Sequence, residues 1–106
     1  MSGEGMLWCG FEGLDADSVS LDFEPGGLVL FSRNLDPDPG SGPARCHALI
    51  HGLQRRWGRE RSLAVAIDQE GGPVSRLRCW TGPTPSLHQL WSTGGAQACT
   101  CWGSLW

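Results

Sequence analysis

The chain has 106 residues, 40% of them hydrophobic, which allows one domain at most with a modest core. Its 8 basic and 11 acidic residues give a formal net charge of -3, which attracts neither phosphate backbones nor anionic membranes, so we expect no nucleic-acid or membrane partner. The apolar run at Met6 to Phe11 is too short for a signal core or a membrane span, so we expect a cytoplasmic protein.

Two apolar runs in the first part of the chain predict strands. The run from Met6 to Phe11 is typical of a short buried strand that ends in a turn. We predict a helix over Leu14 to Glu24, although apolar residues alternate there as they do in a strand. The uninterrupted run from Leu28 to Phe31 predicts a second strand, of the kind that helices cover on both faces.

An amphipathic helix is predicted after the proline- and glycine-rich loop at Asp36 to Gly42. Ser41 and Pro43 suit the cap and the first turn of this helix, and Gly58 ends it. An apolar stripe repeats between them at helical spacing, and it consists of Cys46, Leu49, Ile50, Leu53 and Trp57.

A third strand follows the predicted helix. After a charged turn at Arg59 to Arg61, the run from Leu63 to Ile67 is fully apolar, so strand, helix and strand alternate as in a right-handed parallel unit. Val74 to Cys79 predict a short strand or turn between two loops. Residues 91–106 form an uncharged tail with tryptophans, cysteines and no polar helix face. We therefore predict an α/β domain over residues 1–90 and a separate tail.

Asp68 stands where the third strand ends, before a Gly71-Gly72 loop. Ligands of parallel sheets bind at the carboxyl ends of the strands, so this position indicates a binding carboxylate. A simple turn with two permissive glycines would give the same local pattern. Glu70 could face the same side as Asp68, but two carboxylates on one strand do not easily flank a glycosidic bond from opposite faces of the sugar.

Arg33 and Asn34 follow the second strand and would lie beside Asp68 if the two strands are neighbours. An arginine there would keep the carboxylate ionised, and an ionised carboxylate accepts hydrogen bonds from sugar hydroxyls. A salt bridge that only fixes the loops is an equally good interpretation.

Other candidate residues favour structural interpretations. His47 and His51 are four residues apart on the predicted helix, but no third metal ligand accompanies them, and we interpret them as solvated. Trp80 and Trp91 could stack on a sugar ring, although a tryptophan in a small domain is more often a packing residue. None of the 5 cysteines forms a C-x-x-C pair, which favours free thiols over a zinc site.

Three ordered motifs resemble the glycoside hydrolase family 3 N-terminal domain, and within it the bacterial beta-N-acetylglucosaminidases. The resemblance covers roughly residues 6 to 90, and each motif alone would be weak evidence. The motifs follow the order and similar separations of the family, and they are Gly10-Phe11-Glu12-Gly13, Gly26 to Phe31 with Arg33-Asn34, and Ala66 to Gly72 with Val74 and Arg76-Leu77.

This resemblance implies an eight-stranded parallel barrel that hydrolyses terminal beta-linked sugars with retention and without a metal or organic cofactor. Asp68 matches the family aspartate that hydrogen-bonds the sugar hydroxyls, and Arg76 and Arg33 complete the substrate-binding residues that we expect. No catalytic residue is assigned in this chain, because the family's nucleophile and acid-base loop would lie beyond Trp106. Pro73 stands where the family commonly has a basic residue.

Three strands are too few for a closed barrel, which needs about 250 residues. Open strands expose apolar faces and edges, so we expect the chain to be marginally stable and to self-associate. The sequence therefore predicts the N-terminal part of a TIM (β/α)8 barrel, a beta-N-acetylhexosaminidase-like fragment that is inactive alone, with an N-acetylglucosamine-type sugar as its partner. The alternative is a non-catalytic sugar-binding or interaction module. Nothing favours a third possibility, an unrelated enzyme using Asp68 and Glu70.

Overall fold

A three-stranded parallel sheet with a long helix packed against it forms the centre of the computed structural model, which describes residues 3–58 and 61–104. The strands are β1 (Trp8–Cys9), β2 (Gly27–Leu30) and β3 (Ala64–Ile67), in the order β1-β2-β3. Helix α1 (Gly42–Trp57) connects β2 to β3. The predicted alternation of parallel strand, helix and parallel strand is confirmed, and the chain is α/β.

The hydrophobic core lies between α1 and the sheet. Leu28 on β2 and Leu53 on α1 are both 0% exposed, so each gains the full benefit of leaving water. The predicted stripe of α1 is confirmed, because Leu49 and Leu53 are buried and the rest of the stripe packs around them. The buried apolar residues are Phe11, Val19, Leu28, Leu30, Leu35, Leu49, Leu53 and Leu63.

The two ends of α1 follow the predicted boundaries. Gly58 occupies the C-cap, and its N–H donates to the Gln54 carbonyl oxygen at 2.8 Å. Ser41 occupies the N-cap, but its side chain makes no cap hydrogen bond. The Ser41 hydroxyl instead donates to the Asp36 Oδ2 atom at 3.0 Å, so this serine closes the preceding loop. Pro43 lies in the first turn, where a missing N–H costs nothing.

The segment between β1 and β2 differs from the sequence prediction. The helix predicted over Leu14 to Glu24 is wrong, since the helical structure there is a single 3-10 turn at Ala16–Ser18. Val19 is only 2% exposed and belongs to the core, and Leu21 packs against it. In an extended segment alternate side chains point to the same side, so Val19 and Leu21 both reach the core without a helix.

The first strand is also shorter and more exposed than the apolar run predicts. β1 contains only two residues, and the Trp8 residue is 56% exposed. Trp8 lies over Gly27 of β2, where a Cβ atom would come within 2.6 Å of the indole ring. Phe11, after the strand, is the residue of this run that enters the core.

A small antiparallel hairpin follows β3. Its strands are β4 (Gln69–Gly71) and β5 (Val74–Ser75). Gly71 and Gly72 have φ values of 83° and 57°, a backbone region that favours glycine, so the predicted permissive turn is the tip of this hairpin. The short helix α2 (Arg78–Thr81) comes next.

A helix, α3 (Leu87–Gly103), begins before the uncharged tail at residues 91–106 and continues through most of it. The sequence did not predict this helix, because the tail has no polar helix face. Helix α3 begins with a capping box, in which Ser86 and Gln89 satisfy each other's backbone N–H groups. Such a cap needs no charged residue. None of its described residues is buried, and Gly95 kinks it. Arg59 and Glu60 of the predicted charged turn, and Trp106, lie outside the described residues.

No helix within the described ranges has both the length and the apolar character needed to cross a bilayer. All five cysteines are free thiols, as their spacing predicts.

Candidate functional site

Polar side chains cluster at the carboxyl ends of β2 and β3. These two strands are parallel neighbours, with Leu30 aligned with Ile67, so the segments that follow them leave the same edge of the sheet. A 3-10 turn at Ser32–Asn34 follows β2, and Asp68 follows β3 directly. This edge is where parallel sheets bind ligands.

Asp68 forms an ion pair with Arg76, which the hairpin after β3 brings back toward the strand end. The Arg76 Nη2 atom lies 3.8 Å from the Asp68 Oδ2 atom. The Asp68 side chain is 56% exposed and that of Arg76 is 30% exposed, so water weakens this pair. The contact leaves most of the carboxylate's acceptor capacity available.

The ring of Phe31 brings two of the predicted binding residues together. The Cζ atom of Arg33 lies 4.8 Å from the ring centroid, and that of Arg76 lies 5.8 Å from it. Both guanidinium groups are within the range of a cation–π contact. The Nε atom of Arg76 is buried without a hydrogen-bond partner in the part of the chain that the structure describes.

Arg33 forms its ion pair with Glu12 and not with Asp68. Its Nε atom lies 3.1 Å from the Glu12 Oε1 atom and donates to the Phe11 carbonyl oxygen at 3.0 Å. Of the two interpretations that the sequence left open, the structure shows the salt bridge, which joins Arg33 to the loop after β1. Arg33 therefore fixes a loop, which was the other interpretation of its position.

Asn34 is buried and does not lie open beside Asp68. It is 1% exposed and is the only buried residue with a polar side chain in the described ranges. Its amide nitrogen donates to the carbonyl oxygens of Phe11 and Gly13, and its amide oxygen accepts from the N–H of Phe31, the residue that follows β2. An asparagine three residues after the apolar run that ends at Phe31 is the sequence signal for such a role, although the sequence does not reveal its partners.

The hairpin that carries Arg76 is held by the side chain of Gln69. The Gln69 Nε2 atom donates to the Ser75 Oγ atom at 2.9 Å, and its Oε1 atom accepts from the Leu77 N–H at 3.1 Å. These two residues flank Arg76 in the chain. Pro73 is exposed near the tip of the hairpin. Glu70 is exposed on β4, the strand that follows Asp68.

The remaining candidate residues lie elsewhere. The rings of His47 and His51 stack with centroids 5.8 Å apart, and both residues are exposed. Among the residues that the structure describes, no three histidine, cysteine or acidic side chains form a metal-binding group. Trp80 packs against the core and donates from its indole nitrogen to the Asp36 carbonyl oxygen at 2.7 Å, which is a packing role. Trp91 is 62% exposed on α3.

Comparison with known proteins points to one class of enzyme. No family model matches the chain, and no solved structure matches it either. A curated beta-hexosaminidase from Alkalilimnicola ehrlichii is 40% identical over 81 residues, which is 70% of this chain and 20% of that protein. The chain thus spans about one fifth of the length of this relative. The similarity supports a glycoside hydrolase-like relationship.

Proposed function

We propose that the chain is the sugar-binding part of a family 3 glycoside hydrolase, a beta-N-acetylhexosaminidase-like enzyme that acts on terminal beta-linked sugars. The observation that carries the proposal is the Asp68–Arg76 pair at the carboxyl end of β3. The 40% identity to a beta-hexosaminidase supports it.

The partly exposed pair of Asp68 and Arg76 has the hydrogen-bonding groups that a sugar requires. The Asp68 carboxylate accepts hydrogen bonds, and the Arg76 guanidinium donates them, so adjacent hydroxyls or an acetamido group find complementary partners. The guanidinium of Arg76 lies 5.8 Å from the centroid of the Phe31 ring, and this contact limits the directions in which the guanidinium can point. Binding would replace a water-weakened ion pair with hydrogen bonds to the sugar.

Cleavage needs more than this edge of the sheet offers. A retaining enzyme places two carboxyl groups about 5 to 5.5 Å apart, on opposite sides of the scissile bond. Glu12 pairs with Arg33, and Glu70 follows Asp68 on the same stretch of chain. We therefore propose that the chain binds a sugar without hydrolysing it, and that the catalytic carboxylates belong to the part of longer relatives that it does not span.

Titration with N-acetylglucosamine, followed by NMR, tests the role of Asp68. We expect Asp68→Ala to weaken binding about tenfold or more, since a charged hydrogen-bond acceptor is lost. Glu70→Ala is the matched control, because it removes an exposed carboxylate two residues away, and it should change the Kd less than about twofold. Equal effects of the two substitutions would contradict the assignment of Asp68.

A chromogenic N-acetylglucosaminide tests the catalytic part of the proposal. We expect no colour from this chain, and hydrolysis from a protein extended to the full length of its beta-hexosaminidase relative. Hydrolysis by the present chain would show that it contains the catalytic groups. Sugar binding without hydrolysis even in the extended protein would favour the alternative, a non-catalytic sugar-binding module.

A further inference from the structure

The buried amide of Asn34 bonds to three backbone groups. Its Oδ1 atom accepts from the Phe31 N–H at 3.0 Å. Its Nδ2 atom donates to the carbonyl oxygens of Phe11 at 3.0 Å and Gly13 at 3.1 Å. Both amide hydrogens therefore have acceptors, and the side chain has one defined orientation.

These three bonds join two segments of the site. Phe31 directly follows β2, whereas Phe11 and Gly13 lie in the loop after β1 and flank Glu12. The Phe11 carbonyl oxygen also accepts from the Arg33 Nε atom at 3.0 Å, so one oxygen receives bonds from two neighbouring side chains. The amide thus fixes the acceptor that orients Arg33.

We propose that Asn34 is a positioning residue of the sugar site. It holds the loop after β1 against the end of β2, and this sets the direction of the Arg33 guanidinium beside the ring that also contacts Arg76. The inference rests on the proposed sugar-binding function and adds to it, because Asn34 itself is buried and does not touch the sugar.

Gln54 provides a matched control at the opposite end of the sheet. Its Oε1 atom accepts from the Leu63 N–H at 3.0 Å, and its Nε2 atom donates to the Gly58 carbonyl oxygen at 3.3 Å. Like Asn34, it is an amide side chain that ties loop backbone to the fold. Leu63 precedes β3, so this amide lies at the amino end of the strands, away from the site.

The test compares Asn34→Ala with Gln54→Ala in the complete chain, using two readouts. The first is solvent exchange of the Arg33 Nε–H proton, assigned by its loss in Arg33→Lys, and the second is the Kd for N-acetylglucosamine. We expect Asn34→Ala to speed this exchange about tenfold or more and to weaken sugar binding by a similar factor. Gln54→Ala should leave both readouts near their wild-type values.

If both variants behave alike, the proposal is wrong. In a chain that binds the sugar, a change in only one readout of Asn34→Ala also contradicts it, because the proposal links the direction of Arg33 to sugar binding. If Asn34→Ala does not fold, Asn34→Ser serves in its place, since its neutral hydroxyl still hydrogen-bonds but has one donor and cannot satisfy both carbonyl oxygens. A wild-type chain that binds no sugar would contradict the proposed function, whereas the Arg33 exchange would still decide whether Asn34 positions that side chain.

Discussion

Replacing Leu53 with alanine tests whether α1 and the sheet supply the stability of this chain. Leu53 is 0% exposed and packs in the core. The substitution removes its buried methyl groups and leaves a cavity, which costs about 2 to 5 kcal/mol at such sites. A domain of this size has about 5 to 15 kcal/mol of stability in total, and this one has a small core, so the loss is a large fraction.

Urea unfolding followed by far-UV circular dichroism measures this loss. With an m value of about 1 to 1.5 kcal/mol/M, a loss of about 3 kcal/mol lowers the urea midpoint by about 2 to 3 M. Leu87→Ala is the matched control, because Leu87 is 66% exposed on α3, and its midpoint should move by less than about 0.5 M. Similar shifts in the two variants would refute the placement of the core.

Two further predictions concern charge and association. A hydrogen bond from Arg45 holds the pKa of Asp15 below its usual range. The pKa of Asp36 is also lowered, chiefly by hydrogen bonds from the Asp38 N–H and the Ser41 hydroxyl. A lowered folded-state pKa stabilises the fold above the unfolded value of about 4, and this stabilisation is lost as the pH falls through the folded value. Arg45→Met should therefore lower the urea midpoint at pH 7, with a difference from wild type that shrinks below about pH 4, and a pH-independent difference would contradict this. Sedimentation velocity should show that the wild-type chain associates as its concentration rises, and that a Trp8→Ser substitution weakens this association. A wild-type chain that stays monomeric at all concentrations would contradict the predicted self-association.

The elements that sequence predicted well are those whose local pattern of apolar residues matches the residues that pack in the core. The strands β2 and β3 are continuous apolar runs, and α1 combines a helical stripe with a proline near its start and a glycine at its end. Their boundaries follow from residues within each element. No long-range information was needed to place them.

The elements that sequence missed depend on what they pack against. Val19 alternates with polar neighbours, and only its contact with the core decides that this segment is extended. For α3 the signal was present in the Ser86–Gln89 capping box, but the lack of charged residues concealed it. The capping box favours a helix, whereas the uncharged composition does not predict one, and the sequence pattern alone does not say which signal decides the structure. In the structure the segment is a helix that begins at the capping box.

The site shows the same division. The position of Asp68 after β3 was predictable, because strand ends are visible in sequence. The partner of Arg33 was not, since two loops could reach it and only the folded chain shows that Glu12 does. The substrate-binding roles of Asp68, Arg76 and Arg33 stay predictions, although the structure brings the two arginines to one aromatic ring.

Amide side chains, rather than buried charges, hold both arginines of this site in place. Asn34 bonds to the loop that Arg33 contacts, and Gln69 bonds to the two residues that flank Arg76. A buried ion pair would have to lose its hydration, which costs several kcal/mol per ion. An amide loses less on burial when its hydrogen bonds are satisfied, and it does not change charge with pH. The two guanidinium groups can therefore stay partly exposed to a ligand, while neutral amides hold the chain segments beside them.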